Sequence, residues 1–466
     1  MSQVASRPAD TTLGALRATG HVPRTVKAEL RANLVARLRA GETAFPGIVG
    51  FDETVLPQLE SALLAGHDLV LLGERGQGKT RLMRTLTGLL DEWSPVVAGC
   101  EISDDPAAPV CVSCRARAAE LGDDLPVGWR HRDERYVEKL ATPDTSVGDL
   151  VGDVDPVKVA EGRTLGDPET IHYGLLPRSN RGIFGINELP DLAERIQVAM
   201  FNVLEERDIQ VRGYSLRLPL DVLLVASANP EDYTNRGRII TPLKDRFGAE
   251  IRTHYPDDVE DEVALVAQEA SLVADVPEHL LEVVARLTRG LRESPTVDHR
   301  SGVSARFGIA AAEGIAASAL RRAARSGETD AVARVCDAPA VVPTLLGKIE
   351  FEMGEEGRET EVVAHLLRVA VAETFRNRLA GLDLSGFTAL FGEGATVETG
   401  ELVTAEELLG QVGTVPGLSK VLDRLGHGDD ASPGQVAAAV ELVLEGLHLT
   451  RRIDKESVAG RSVYGA

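Results

Sequence analysis

One short stretch limits what this chain can fold into more than any other. The run Gly73-Glu74-Arg75-Gly76-Gln77-Gly78-Lys79-Thr80 follows the apolar segment Asp68–Leu72 and leads into a helical pattern beginning near Lys79. It fits GxxxxGK[ST] in the strand–loop–helix setting that gives the pattern physical meaning. Glycines let successive backbone N–H groups curl inward around phosphate oxygens, where a Cβ would obstruct the loop. The following helix adds the positive end of its dipole. Lys79 then offers an ammonium to the β- and γ-phosphates, and the Thr80 hydroxyl a ligand for Mg²⁺. A glycine-rich turn with a chance lysine would explain the loop but neither flank.

Short Val/Ile/Leu runs alternate with helical patterns from about 46 to 256, as in a parallel sheet covered by helices. Asp68–Leu72, Val96–Cys100, Ile183–Ile186 and Val222–Ala226 read as strands buried on both faces. A β-hairpin is expected over 209–218 around Arg212-Gly213-Tyr214. The expected division is a polar segment and helix at 1–45, and an α/β nucleotide-binding core at 46–256 with an insertion at 101–180. A helical lid at 257–325 and an all-α C-terminal extension at 326–466 complete it. No fixed-period repeat is present.

Composition narrows the function classes. A hydrophobic fraction of 43% with only 4% aromatics indicates a soluble protein with an aliphatic core. Fifty basic residues against 72 acidic ones leave a net charge of −22, a surface that repels phosphate backbones and disfavours nucleic acid as a partner. No apolar run of membrane-spanning length occurs, the first residues lack a signal-peptide core, and the four cysteines make no disulfide framework. The expectation is a cytoplasmic protein.

Two further strand ends carry candidate chemistry. Gly182–Ile186 runs into Asn187-Glu188, where Glu188 is placed to orient and deprotonate an attacking water. Asn187 stands where an acid would hold the Mg²⁺ shell. Its amide accepts from a metal-bound water but brings no charge, so weakened metal affinity is expected. Asn229, directly after the apolar run ending at Ala228, fits a sensor of the γ-phosphate, although Asn-Pro also starts turns. Arg246, in Asp245-Arg246-Phe247-Gly248, fits an arginine finger reaching a neighbouring subunit's γ-phosphate. Arg306 opens a helix in the lid segment and suits a residue that reports nucleotide state.

Gly73–Thr80, Glu188, Asn229, Asp245–Gly248 and Arg306, in this order, resemble the ATPase (I) subunit of magnesium chelatase and the wider MoxR-like branch of AAA+ proteins. The likeness covers about 46 to 310. It implies an AAA+ P-loop NTPase core, with Ile48 and Val49 flanking the adenine of ATP. It also implies a homo-oligomeric, hexameric ring, and a partner with a von Willebrand A domain that passes mechanical work to a client. Asn187 departs from the family's Walker B Asp, Asn235–Pro242 replaces its usual approach to the finger, and 326–466 is not chelatase-like. Porphyrin chemistry is thus one possible output.

Cys100, Cys111, Cys114 and His131 form a C-x10-C-x2-C-x16-H pattern that would let a structural Zn²⁺ staple the insertion. A redox-responsive thiol pair or three unlinked cysteines are the other readings. For the whole chain the expected function is a ring ATPase that remodels or metal-loads a client. The alternative is a nucleotide-gated assembly module with weak hydrolysis. A DNA-remodelling motor is disfavoured by the acidic surface, and an enhancer-dependent transcription activator by the lack of a GAFTGA loop.

Overall fold

The computed structural model describes residues 6–161, 170–206, 209–211, 214–216, 218–230, 239–298, 302–352, 354, 357–392, 394–428, 430–458 and 461–465. They fall into two compact units, Met1–Glu74 with Gly78–His254, and Arg75–Gln77 with Tyr255–Ala466.

The first unit is built on a five-stranded sheet: β1 (Leu69–Leu72), β2 (Tyr136–Leu140), β3 (Gly182–Asn187), β4 (Val222–Ala228) and β5 (Ala249–Arg252). All pairings are parallel, in the order β5-β1-β4-β3-β2. Alternate residues of the central strands feed two separate cores. Leu69, Leu71, Ile183, Leu223 and Val225 pack in one cluster with α1 (Val26–Ala40), α2 (Val55–Ala65) and α3 (Lys79–Thr85). Val70, Leu72, Phe184, Ile186, Leu224 and Ala226 pack in the other with Ile196 and Met200 of α4 (Glu194–Glu206). A strand covered on both faces has no polar position to offer, which is why these runs read as uninterrupted apolar segments.

Two strand assignments need correction. The run expected as a core strand at Val96–Cys100 instead forms Trp93–Val97, paired antiparallel with Val127–His131 in a sheet of its own. Gly99 at φ 77° turns the chain away just beyond Val97, so the ladder cannot continue to Cys100. Two core strands are missing from the sequence reading, β2, inside the stretch taken for an insertion, and the opposite edge strand β5. The hairpin forms as expected, with Ile209 opposite Leu216. Its turn residues Arg212 and Gly213 lie outside the described residues, as do 235–238 of the segment leading to Arg246.

The second unit is mainly helical: α5 (Val259–Glu269), α6 (Glu278–Glu293), α7 (Ala305–Ser326), α8 (Glu359–Arg378) and α9 (Pro433–Leu449). Helix α9 is buried continuously from Ala437 to Leu447, with α8 and other helical segments packed around it. A small antiparallel sheet, unanticipated from the sequence, joins these helices. Its central strand Arg461–Gly465 lies between Val397–Gly400 and Asp454–Val458. Among the described residues no helix is long and apolar enough to cross a membrane.

Candidate nucleotide site

The C-terminal ends of β1, β3 and β4 converge, and Asn187, Glu188, Ser227 and Asn229 gather there beside Lys79 and Thr80. Such a crevice beyond parallel strand ends is where open α/β sheets bind ligands. The chain leaves β1 through Gly76 at φ 76° and Gly78 at φ 74°, both in the left-handed region that favours glycine. Gly78 is the N-cap of α3.

Lys79, although charged, is buried with 6% of its surface exposed. Its Nζ donates to the carbonyls of Gly73 and Glu74 and, at 2.7 Å, to Asn229 Oδ1. Three oxygen acceptors offset the loss of water around the ammonium. The other end of the same amide, Asn229 Nδ2, donates to Glu188 Oε2 at 2.6 Å. Glu188 itself sits at φ 56°, an uncommon conformation for a residue with a Cβ, and its N–H donates to Ser227 Oγ at 3.3 Å. The end of β3 is thereby twisted so that the acid faces the end of β4.

Asn187 forms a second junction. Its Oδ1 accepts from Thr80 Oγ1 at 2.9 Å and Ser227 Oγ at 3.2 Å. Its Nδ2 donates to Glu138 Oε1 at 2.6 Å. Arg84, one helical turn beyond Thr80, grips Glu138 with two bonds of 2.8 and 2.9 Å. Burial pushes the Glu138 carboxyl up, but the Arg84 hydrogen bonds and charge outweigh it and leave the acid below its ordinary range. An ionised carboxylate therefore stands beside the neutral amide. Burial, with Glu138 nearby, drives the Tyr136 phenol upward. The Thr80 hydroxyl, the Asn187 amide oxygen and the Glu138 carboxylate are hard oxygen donors of the kind that suit Mg²⁺.

Lys79, Thr80, Asn187, Glu188 and Asn229 are thus brought together, although they come from three separate stretches of sequence. Ile48 is half-buried and packs against the cluster formed by α1 to α3, with Val49 half-buried next to it. Arg246 is ion-paired with Glu205 and lies over the Phe201 ring at 5.1 Å. Arg306 is exposed in the first turn of α7, in the second unit, to which the loop residues Arg75–Gln77 are also assigned. Within that unit the Tyr255 hydroxyl donates to the Arg75 carbonyl at 2.8 Å.

Glu138, Arg84 and Ser227 escaped sequence reasoning. Ser227 alone left a trace, as the one polar residue in the apolar run of β4. Nothing local marks Glu138, because its role depends on β2 pairing beside β3.

The cysteine pattern also needs correction. Cys100, Cys111 and Cys114 do cluster, but the fourth member is Asp104. His131 packs edge-on against Trp93 at 5.1 Å and pairs with Asp133 at 3.2 Å. Its strand pairs with Trp93–Val97, which places the imidazole at Trp93 and away from the three sulfurs. Thiol hydrogen bonds from Cys111 and Cys114 hold the Cys100 sulfur far below the usual thiol range. Burial pushes the Asp104 carboxyl up.

The parallel sheet, its covering helices and the glycine loop at the end of β1 define an α/β P-loop NTPase fold. No family model matches the chain. By sequence it is similar to the I subunits of magnesium chelatase. It is 31% identical over 239 residues to the magnesium-chelatase 38 kDa subunit of Acidiphilium rubrum, covering 48% of this chain and 61% of that protein. It is 28% identical over 255 residues to the subunit ChlI of Nostoc sp. strain PCC 7120, covering 53% and 64% respectively. The chain therefore spans less than two thirds of these relatives' own length. Aligned with a chain from the cryo-EM-based complex between subunits BchI and BchD of magnesium chelatase, it shows 24% identity and a TM-score of 0.36 over 68% of this chain and 98% of that one.

Proposed function

We propose that this chain is a subunit of a ring-forming ATPase that uses ATP hydrolysis to remodel or metal-load a client, through a partner carrying a von Willebrand A domain. The observation that supports this most is the hydrogen-bonded series Lys79–Asn229–Glu188, at strand ends beside the glycine loop. In this reading the loop amides and the Lys79 ammonium take the β- and γ-phosphates. Bound Mg²⁺ would supply positive charge to the phosphate oxygens, held by Thr80 directly and by Asn187 through water, with Glu138 adding the negative charge that Asn187 lacks. Glu188 orients the attacking water and accepts its proton, and Asn229 holds that carboxylate in place while sensing the γ-phosphate.

Ile48 and Val49 flank the adenine, Arg246 reaches the site of the adjoining subunit, and Arg306 reports nucleotide state. The proposed division keeps 46–256 as the nucleotide core, 257–325 as the lid and 326–466 as an extension. The names of the relatives, magnesium-chelatase subunits, support metal-loading as the output; a hexamer in the cytoplasm is the working form proposed with it. Client and partner belong to the proposal.

The test is Mg²⁺-dependent ATP turnover measured against protein concentration. Turnover per chain should rise steeply as chains assemble and fall at least about 100-fold in Lys79→Ala. Lack of ATP binding by the wild type would end the reading. A nucleotide-gated assembly module with weak hydrolysis is the second reading, and Asn187 is the observation that favours it. That reading requires Asn187→Asp alone to raise turnover strongly.

A further inference from the structure

We propose that Cys100, Asp104, Cys111 and Cys114 bind one Zn²⁺ ion in a structural site that holds the segment between Trp93–Val97 and the helix Val112–Leu121. Nothing in this inference depends on the nucleotide reading.

The ligand atoms of these four side chains all lie within 4.8 Å of one another. Asp104, Cys111 and Cys114 are buried, Cys100 is half-buried, and all three cysteines are free thiols. Tetrahedral zinc–sulfur bonds of about 2.3 Å place the sulfurs about 3.8 Å apart, a small side-chain adjustment from this spacing.

Asp104 supplies the second, independent observation. It is fully buried, and its Oδ2 accepts from the N–H groups of Val110 at 3.1 Å and Cys111 at 2.9 Å. Those two bonds fix the plane of the carboxylate. Its other oxygen, Oδ1, is buried without a hydrogen-bond partner among the described residues. A carboxylate oxygen removed from water and left unpaired is strongly unfavourable, and a cation shared with three thiolates resolves it.

The backbone around the sulfurs is arranged as outer-shell support. Asp104 N–H donates to Cys100 Sγ at 3.4 Å, and Cys114 N–H donates to Cys111 Sγ at 3.2 Å, where Cys111 also caps the helix. Such bonds to sulfur favour the thiolate form that a metal needs. The ligand set explains the choice of ion, because three soft thiolates and one carboxylate select zinc over Mg²⁺ or Ca²⁺. The segment has little regular structure of its own between Ala98 and Val110. It is also tied to the approach to β3, where Asn180 Nδ2 donates to the Ile102 carbonyl at 3.1 Å.

The test uses the full chain, expressed with zinc present and purified under reducing conditions without chelator. Elemental analysis should find about one zinc per chain, unchanged in a Cys336→Ser control and below about 0.1 in the Cys111→Ser/Cys114→Ser double variant. That double variant risks misfolding, so Asp104→Asn provides the second arm. Its amide oxygen can still accept from Val110 and Cys111 while the anionic ligand is lost, and zinc affinity by chelator competition should weaken at least about tenfold. Cobalt added to the metal-stripped wild type should give thiolate charge-transfer absorption and tetrahedral d–d bands. Wild-type protein with neither bound zinc nor a cobalt–thiolate spectrum would overturn the site. So would full zinc occupancy in the double variant, one iron per chain in place of zinc, or a disulfide among the three cysteines of the native protein.

Discussion

The side-chain amide of Asn187 donates to the Glu138 carboxylate across 2.6 Å, joining the last residue of β3 to the middle of the neighbouring strand β2. The charge absent at Asn187 is therefore present one strand away, paired with Arg84. Glu138→Gln is expected to raise the Mg²⁺ concentration needed for half-maximal turnover by about tenfold, the size of effect seen when an outer-shell carboxylate is removed. Asn187→Asp alone sets two carboxylates against each other, so turnover should change by less than about threefold. Combining the substitutions should restore the wild-type Mg²⁺ requirement. Additive effects in that double-mutant cycle would show that the two positions are uncoupled.

Arg246 offers a test of assembly. It pairs with Glu205 and covers Phe201 within its own chain. If it serves the neighbouring site, Arg246→Ala should lower turnover by about 10³-fold while leaving ATP affinity nearly unchanged. Mixing Arg246→Ala chains with Glu188→Gln chains should recover part of the activity, because some sites then combine an intact Glu188 with an intact finger. No recovery on mixing would count against a role across the subunit boundary.

Helix α1 is tied by charge as well as by packing to the turn that leads into β2. Both Glu29 oxygens accept from Arg135 at 2.7 Å, and Oε1 also accepts from the Asp91 N–H at 2.7 Å. Glu29 and Arg135 are 5% and 2% exposed, so Glu29→Ala leaves a buried guanidinium without its partner. The expected loss is about 3–5 kcal/mol, read from denaturant unfolding. A loss under about 1 kcal/mol would mean that water reaches Arg135 freely.

In the second unit, burial chiefly, with help from His427 and Arg378, lowers the His279 pKa to about 3. Among the described residues neither ring nitrogen has a hydrogen-bond partner. The sign follows directly: below about pH 6.5 the unfolded chain takes up a proton on this ring that the folded chain refuses. Stability should therefore fall as pH drops from about 6.5 towards 3, by up to about 1.4 kcal/mol per unit from this group. His279→Leu should flatten that part of the unfolding curve, and an unchanged pH slope would exclude His279 as its source.

Features whose physics is local were legible in the sequence. The glycine loop needs only its own backbone and the flanking strand and helix. β3 and β4 are covered on both faces, so apart from Ser227 and the terminal Asn187 their residues are apolar whatever covers them. Glu188 and Asn229 could be found because they stand at the ends of those two runs. The cysteine spacing was equally visible.

Tertiary structure alone decided the rest, because it depends on pairing between distant segments. The two sheet edges are only partly covered and carry charged residues, Glu138 and Lys139 in Tyr136–Leu140 and Glu250 and Arg252 in Ala249–Arg252, so neither shows an apolar run. The pairing of Trp93–Val97 with Val127–His131 removed that strand from the central sheet and His131 from the cysteines. Asp104 became the fourth ligand candidate through backbone hydrogen bonds from Val110 and Cys111. Glu138 gained its place beside Asn187 only when β2 aligned Leu140 with that residue. Local sequence specifies which residues can form a strand, turn or cap, whereas the neighbour a side chain meets across a sheet depends on a register set by the whole core.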